Sequence, residues 1–125
     1  MSISTSHIPH RMQLQPLPFG QIQAGAKRIE IRLFDEKRRA MKIGDMVEFY
    51  HAQNNDQICI KKIIAITQAA SLLSLFQAVS LTAAGWPEGT TSEKAASDMR
   101  KYYSIEEEMR WGAVALHLSA PDHDI

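Results

Sequence analysis

The chain has 125 residues, 45% of them hydrophobic and 22% charged, which is the composition of one globular domain and excludes a disordered segment. Its 14 lysines and arginines are matched by 14 aspartates and glutamates. That balance excludes a uniformly basic nucleic-acid coat and an acidic solvating tail, so any electrostatic partner must be drawn by a local patch. A single cysteine, Cys59, excludes an internal disulfide framework and a cysteine-rich zinc site.

A cysteine-poor chain of this kind suits a reducing compartment, and a cytoplasmic location is expected. Met1 to His10 lacks the basic start and apolar run of a secretory signal. Apolar stretches such as Ile63–Ile66 are far too short to span a bilayer, so no membrane partner is expected.

Met12–Leu14 reads as a short first strand. Pro16 and Pro18 then open a helix carrying Phe19 and Ile22, and Gly25 ends it as a left-handed cap. Arg28–Leu33 alternates strictly, with Ile29, Ile31 and Leu33 on one face and Arg28, Glu30 and Arg32 on the other, which predicts a half-buried strand. Asp35–Met41 is a charged turn or short helix, and Gly44-Asp45 turns the chain into a strand over Met46–Tyr50. Gln53–Asp56 has hairpin-loop composition. Gln57–Thr67 predicts a long strand with a bulge or bend near Lys61-Lys62, where the apolar phase changes.

Ser71 caps a predicted helix to Val79, with Leu72, Leu73, Leu75, Phe76 and Val79 as its apolar stripe. Gly85–Gly89 is a loop. Thr90 and Glu93 have capping-box spacing before a helix from Ser92 to about Tyr102. Ser104 and Glu107 repeat that spacing before a short acidic helix to Met109, which Gly112 ends. Ala113–Leu118 alternates as a last strand. The expected fold class is α+β, a small, mixed, mostly antiparallel β-barrel with flanking helices. Residues 1–11 are expected as an N-terminal extension, 12–119 as the domain and 120–125 as a loose tail.

The neutral total conceals an uneven charge distribution. Lys27 to Lys42 holds seven basic residues against three acidic ones, while Glu88 to Glu108 holds six acids against three bases. Such a patch attracts phosphate, or it is a solvated turn balanced by the acidic helix. The strand face Arg28-Glu30-Arg32, entered through Lys27, has two readings: an exposed salt-bridge ladder, or a wall on which Lys27, Glu30 and Arg32 surround a small polar or anionic ligand.

The five histidines, His7, His10, His51, His117 and His123, are scattered, so no metal site is expected, and no cofactor. His117 has the outward parity of the last strand. Trp86 is read as a loop anchor ahead of a base-stacking platform, and Trp111 as a packing residue. Cys59 reads as an inert strand residue and Ser104 as a cap, so no nucleophilic triad is present.

Gly25 to Arg32, followed by Asp35–Arg39, Gly44-Asp45 and Phe49, resembles the G-x-K-x-x-E-x-R and G-D-x-x-x-F pattern of the ASCH domain family. Tyr102-Tyr103-Ser104, Glu106-Glu107 and Trp111–Val114 are similar to the end of its compact bacterial members, so the likeness runs over about residues 12–119. The resemblance implies a PUA-like β-barrel with a cleft that binds RNA or a modified nucleoside. Matched residue by residue, the cleft positions are Lys27, Glu30 and Arg32, with Arg38, Arg39 and Tyr103 at its rim.

Two activities come with the resemblance. One branch hydrolyses N4-acetylcytidine with a threonine, a lysine and a glutamate, and that threonine stands where this chain has Glu30. Other bacterial members are similar to metal-independent ribonucleases, in which Glu30 would serve as base, Lys27 or Tyr103 as acid, and Arg32 as the phosphate's charge partner. A non-catalytic interaction module, with the charged motif making salt bridges alone, is the third expectation.

Overall fold

A computed structural model describes residues 10–119. Five strands, β1 (His10–Leu14), β2 (Ile29–Leu33), β3 (Met46–His51), β4 (Asn54–Ala69) and β5 (Ala113–Leu118), form one sheet in the order β1-β3-β4-β5-β2. β1 runs parallel to β3, and every other pair is antiparallel. Among the described residues five α-helices, α1 (Pro16–Ala24), α2 (Glu36–Arg39), α3 (Leu72–Ala78), α4 (Ser92–Asp98) and α5 (Ile105–Trp111), flank it. None of the described helices is long and apolar enough to cross a membrane. The expected extension and tail fall mostly on residues 1–9 and 120–125, outside the described residues, although β1 already begins at His10.

Among the described residues the sheet curls into a half-barrel and does not close through its backbone. β1 and β2 are its two edges, and the start of β2 turns elsewhere for partners: the backbone N–H groups of Arg28 and Ile29 donate to Ala83 O at 2.7 and 3.1 Å. What spans the gap is a side chain, Arg32 Nη2 donating to Gln13 O of β1 at 3.1 Å.

β4 is sixteen residues long and serves both halves of the curl, pairing first with β3 and then with β5. The register shift that lets it do so lies between Ile63 and Ala65, just beyond the expected Lys61-Lys62. Ile64 is the extra residue, so Ile63 and Ile66, three positions apart, both meet the inner core. The hairpin before it is tighter than composition suggested. Asn54 already pairs with His51, and its side chain accepts from Asp56 N.

Two cores sit on opposite faces of the sheet. Inside the curl, Met12, Leu14, Phe19, Ile22, Val47, Phe49, Ile63, Val114, Leu116 and Leu118 pack together. Outside it, Ile29, Ile31, Ala113 and Ala115 pack against Leu72, Leu75 and Phe76 of α3, Ala95 of α4 and Met99. β2 and β5 are therefore covered on both faces, and the alternation in β2 separates two buried surfaces instead of core from water.

Most of the capping signals act as expected. Gly25 (φ 85°) closes α1, Ser71 accepts from Ser74 N, and Ser104 and Glu107 form a reciprocal capping box. α4 departs by one residue. Its cap is Thr91, and the Thr90 hydroxyl instead donates to Pro87 O. The helix also tightens into a 3-10 turn over Met99–Lys101. Gly112 (φ 74°, ψ −171°) joins α5 to β5 in a region only glycine adopts freely, and a Cβ there would meet Ala69 O at 3.0 Å. Gly112→Ala is expected to lower stability by about 1–3 kcal/mol, read as a lower urea midpoint at unchanged slope.

Candidate functional site

Gly25 reverses the chain after α1, and Lys27 N then donates to Gln21 O, which turns the Lys27 side chain toward β2. Glu30 pairs with Leu116 and Arg32 with Val114, so both charged side chains share the inner face of the curl with core residues. They do so at the one place where the sheet is open. Lys27 is 9% exposed and Glu30 4%, which decides between the two readings of this face: it is no solvated ladder. Arg28 keeps its place in the alternation but lies at the surface, donating to Gly25 O.

Glu30 is the centre of the cluster. Arg32 Nε donates to its Oε2 at 2.7 Å, and Lys27 Nζ lies 3.2 Å from its Oε1. That second contact is an ion pair, and Lys27 Nζ also donates to Ala84 O at 3.1 Å. Oε1 is a buried acceptor that receives no hydrogen bond among the described residues. Each cation is pinned to a backbone carbonyl on a different wall, Ala84 after α3 and Gln13 in β1, and each keeps N–H groups to spare. Burial pushes the Glu30 carboxyl up, but the charges of Lys27 and Arg32 outweigh it and hold the group below the usual carboxylate range. Burial likewise opposes the Arg32 charge, and Glu30 more than restores it.

The cluster opens on a cavity of about 580 Å³ between the β1 and β2 edges. Leu14, Leu17 and Pro18 form one wall, Met99, Lys101, Tyr102 and Tyr103 another, and Ala84, Gly85 and Trp86 the floor beside Lys27. Gly85 (φ 103°) is required there, since a Cβ would come within 3.2 Å of Lys27 Cδ. Trp86 is anchored and exposed to the cavity at once: its ring meets Phe76 edge-on at 4.9 Å, and its indole N–H donates to Asp98. Burial raises the Tyr103 phenol; Arg32 and Arg38 pull it down, yet the net shift is upward.

Of the six residues the sequence singled out, Lys27, Glu30, Arg32 and Tyr103 line this cavity. Arg38 and Arg39 do not. Arg38 turns back to Asp35, though its charge still reaches Tyr103. Arg39 donates to Trp111 O and stacks on Phe34, in a separate groove. Sequence reasoning missed Gln13, Gln21, Asp98 and Lys101 as lining residues, because β1 and the α4 turn reach the seam only through the tertiary fold.

The histidines serve elsewhere. His10 bonds Asp45 at 2.8 Å and His51 meets the Phe19 ring, while His7 and His123 lie outside the described residues. His117 is half-buried and bonds Thr67, against the expectation of a surface position, because β4 lies alongside it. Among the described residues, no three histidine, cysteine, aspartate or glutamate side chains gather in a metal-binding set.

Residues 12–122 match the ASCH domain family. The crystal structure of hypothetical protein PH0355 is similar, with a TM-score of 0.76 at 29% identity over 88% of this chain and 96% of that one. The NMR structure of protein PF0455 from Pyrococcus furiosus gives 0.67 at 25% identity, covering 91% of this chain and 98% of that one. The crystal structure of an ASCH protein from Zymomonas mobilis gives 0.60 at 17% identity, over 87% of this chain and 65% of that one, a likeness of fold alone. No curated protein matches the chain. A family match across nearly all of the sequence, on a curled five-stranded sheet with flanking helices, means that this chain belongs to the ASCH domain family, with its PUA-like fold.

Proposed function

We propose that the seam cavity binds a nucleotide of single-stranded RNA, or a free nucleoside, and that binding is its function. The observation that carries this reading is the buried Lys27–Glu30–Arg32 cluster opening on an aromatic-walled cavity. Burying Lys27 and Glu30 and half-burying Arg32 costs desolvation that their mutual attraction scarcely repays, so the fold alone gains little from them. The cluster carries one net positive charge and has unused N–H donors, which suit a phosphate or ribose oxygen. Trp86, Tyr102 and Tyr103 offer rings for a splayed base. A volume of about 580 Å³ falls within the ordinary range for small-ligand sites.

The same electrostatics favour binding over turnover. A carboxylate held ionised between two cations is a weak base, which counts against Glu30 in a ribonuclease. Tyr103 holds its proton more tightly than a free phenol. Hydrolysis of N4-acetylcytidine through a threonine nucleophile lacks its hydroxyl, because no serine or threonine among the described residues lines the cavity.

Titration calorimetry with cytidine 5′-monophosphate and short single-stranded RNA, at several salt concentrations, tests the proposal. The expected result is saturable binding that weakens as salt rises, with the RNA recovered intact. Absence of binding even at low salt would overturn it in favour of an interaction module. Cleavage of the RNA would favour the ribonuclease.

A further inference from the structure

Beyond the cavity, a groove of about 470 Å³ lies between the end of β2, α2, the end of α5 and the last residues of β4. Phe34, Arg39, Arg110 and Trp111 dominate it. Arg39 lies 4.4 Å from the centre of the Phe34 ring and donates to Trp111 O at 3.2 Å. Arg110 lies 5.1 Å from the centre of the Trp111 ring. Both guanidinium groups are thus held by aromatic faces.

Neither arginine forms a salt bridge among the described residues, although acids stand at helical pairing distance from each. Asp35, four residues before Arg39, is taken by Arg38. Glu107, three before Arg110, is spent on the capping box. Glu36 and Glu106 also stand at helical spacing from Arg39 and Arg110, yet neither pairs with them, and each guanidinium rests on an aromatic ring instead. Trp111 belongs to neither hydrophobic core, so packing does not account for it.

Two segments connect this groove to the seam cavity. Arg32 lines the cavity and Phe34 the groove, two residues on along the same strand direction and therefore about 7 Å away. Tyr103 lines the cavity, and α5 begins two residues later and ends in Arg110 and Trp111. Arg38, whose charge reaches Tyr103, is the neighbour of Arg39 on α2.

We infer that the Phe34–Arg39–Arg110–Trp111 groove is a second RNA site, holding the phosphates of nucleotides that flank the one seated in the cavity. The inference rests on the RNA reading above. The arginines neutralise phosphate, and exchange of an aromatic face between guanidinium and base lets a flanking base stack. Recognition here is of single-stranded backbone, with no demand on base identity.

The test compares the native protein with Arg39→Ala/Arg110→Ala, both exposed positions, and with Arg39→Lys/Arg110→Lys. Fluorescence anisotropy follows a labelled RNA hexamer across a salt series, and calorimetry follows cytidine 5′-monophosphate. The alanine pair is expected to bind the hexamer at least about tenfold more weakly and to lose about 1.4 from the log-log salt slope, about 0.7 for each phosphate. Monophosphate binding stays unchanged, and the lysine pair keeps the slope. Hexamer binding and slope unaltered by the alanine pair would overturn the groove while leaving the cavity reading intact. Hexamer binding that needs Arg39 and Arg110 but survives Lys27→Ala would support the groove and overturn the cavity. Polyglutamate displacing the hexamer at equal charge concentration would overturn the inference in favour of an acidic protein partner.

Discussion

Lys27→Ala is expected to weaken the binding of short single-stranded RNA by about ten- to a hundredfold and to cost roughly 3 kcal/mol of stability. The binding loss follows from one charge-assisted hydrogen bond, worth about 1.5–3 kcal/mol when made to a charged group. The stability loss has a separate origin. Without Lys27, Glu30 Oε1 has no cation beside it and stays buried, and Ala84 O loses its donor. Breaking a buried pair from one side costs about 3–5 kcal/mol, and the lower end applies because Arg32 keeps its 2.7 Å bond to Oε2. Lys27→Arg separates the two effects: it restores a cation and most of the stability, but the bulkier fork crowds Gly85 and leaves affinity reduced. Urea unfolding and anisotropy on the same samples read both quantities. Native-like affinity in a folded Lys27→Ala protein would remove Lys27 from the site.

Glu30→Gln is expected to produce the second large change, one that depends on pH. Glu30 titrates below its ordinary value in the folded protein, since Lys27 and Arg32 overcome the upward push of burial. A depressed folded value means that its stabilisation is complete above the unfolded carboxylate range, near pH 4.3, and is lost as pH falls through the folded value. The variant never has this contribution. At neutral pH it leaves the buried Lys27 and the half-buried Arg32 without a counter-charge, a loss of about 3 kcal/mol. The gap between native and variant should therefore be widest at pH 7 and should narrow steadily below about pH 4. Unfolding curves at pH 7 and pH 3 check this. A gap of equal size at both would mean that the Glu30 charge does not hold the cluster together.

How far the site could be read in advance depended on how local its determinants are. The strict alternation from Arg28 to Leu33 and the capping glycine Gly25 place Lys27, Glu30 and Arg32 on adjoining positions, and those three do meet. Their burial was not legible. The helices that cover the other face of β2 begin at Leu72, and the β1 edge facing it carries no signal beyond Met12 and Leu14. Arg38 and Arg39 show the limit from the opposite side. They are neighbours in a basic run, but successive helical residues point about 100° apart. One therefore folds back on Asp35 and the other reaches Trp111 O. Trp111 looked like a packing residue because it precedes Gly112 and a strand. Only the tertiary fold shows its ring beside Arg110 and outside both cores. Capping followed the sequence to within one residue, since Thr90 and Thr91 offer the same hydroxyl and loop geometry chooses between them.

Whether a nucleotide enters the gap between β1 and β2 is read by two-dimensional NMR on the isotope-labelled protein, titrated with cytidine 5′-monophosphate and then with an RNA hexamer. Saturable shifts are expected for the Trp86 indole N–H and for the backbone amides of Lys27, Glu30, Arg32 and Tyr103. Residues on the outer β3–β4 face, such as Ile58 and Ile60, should remain unmoved. Shifts confined to that outer face, or none at all up to millimolar ligand, would contradict nucleotide binding in that gap.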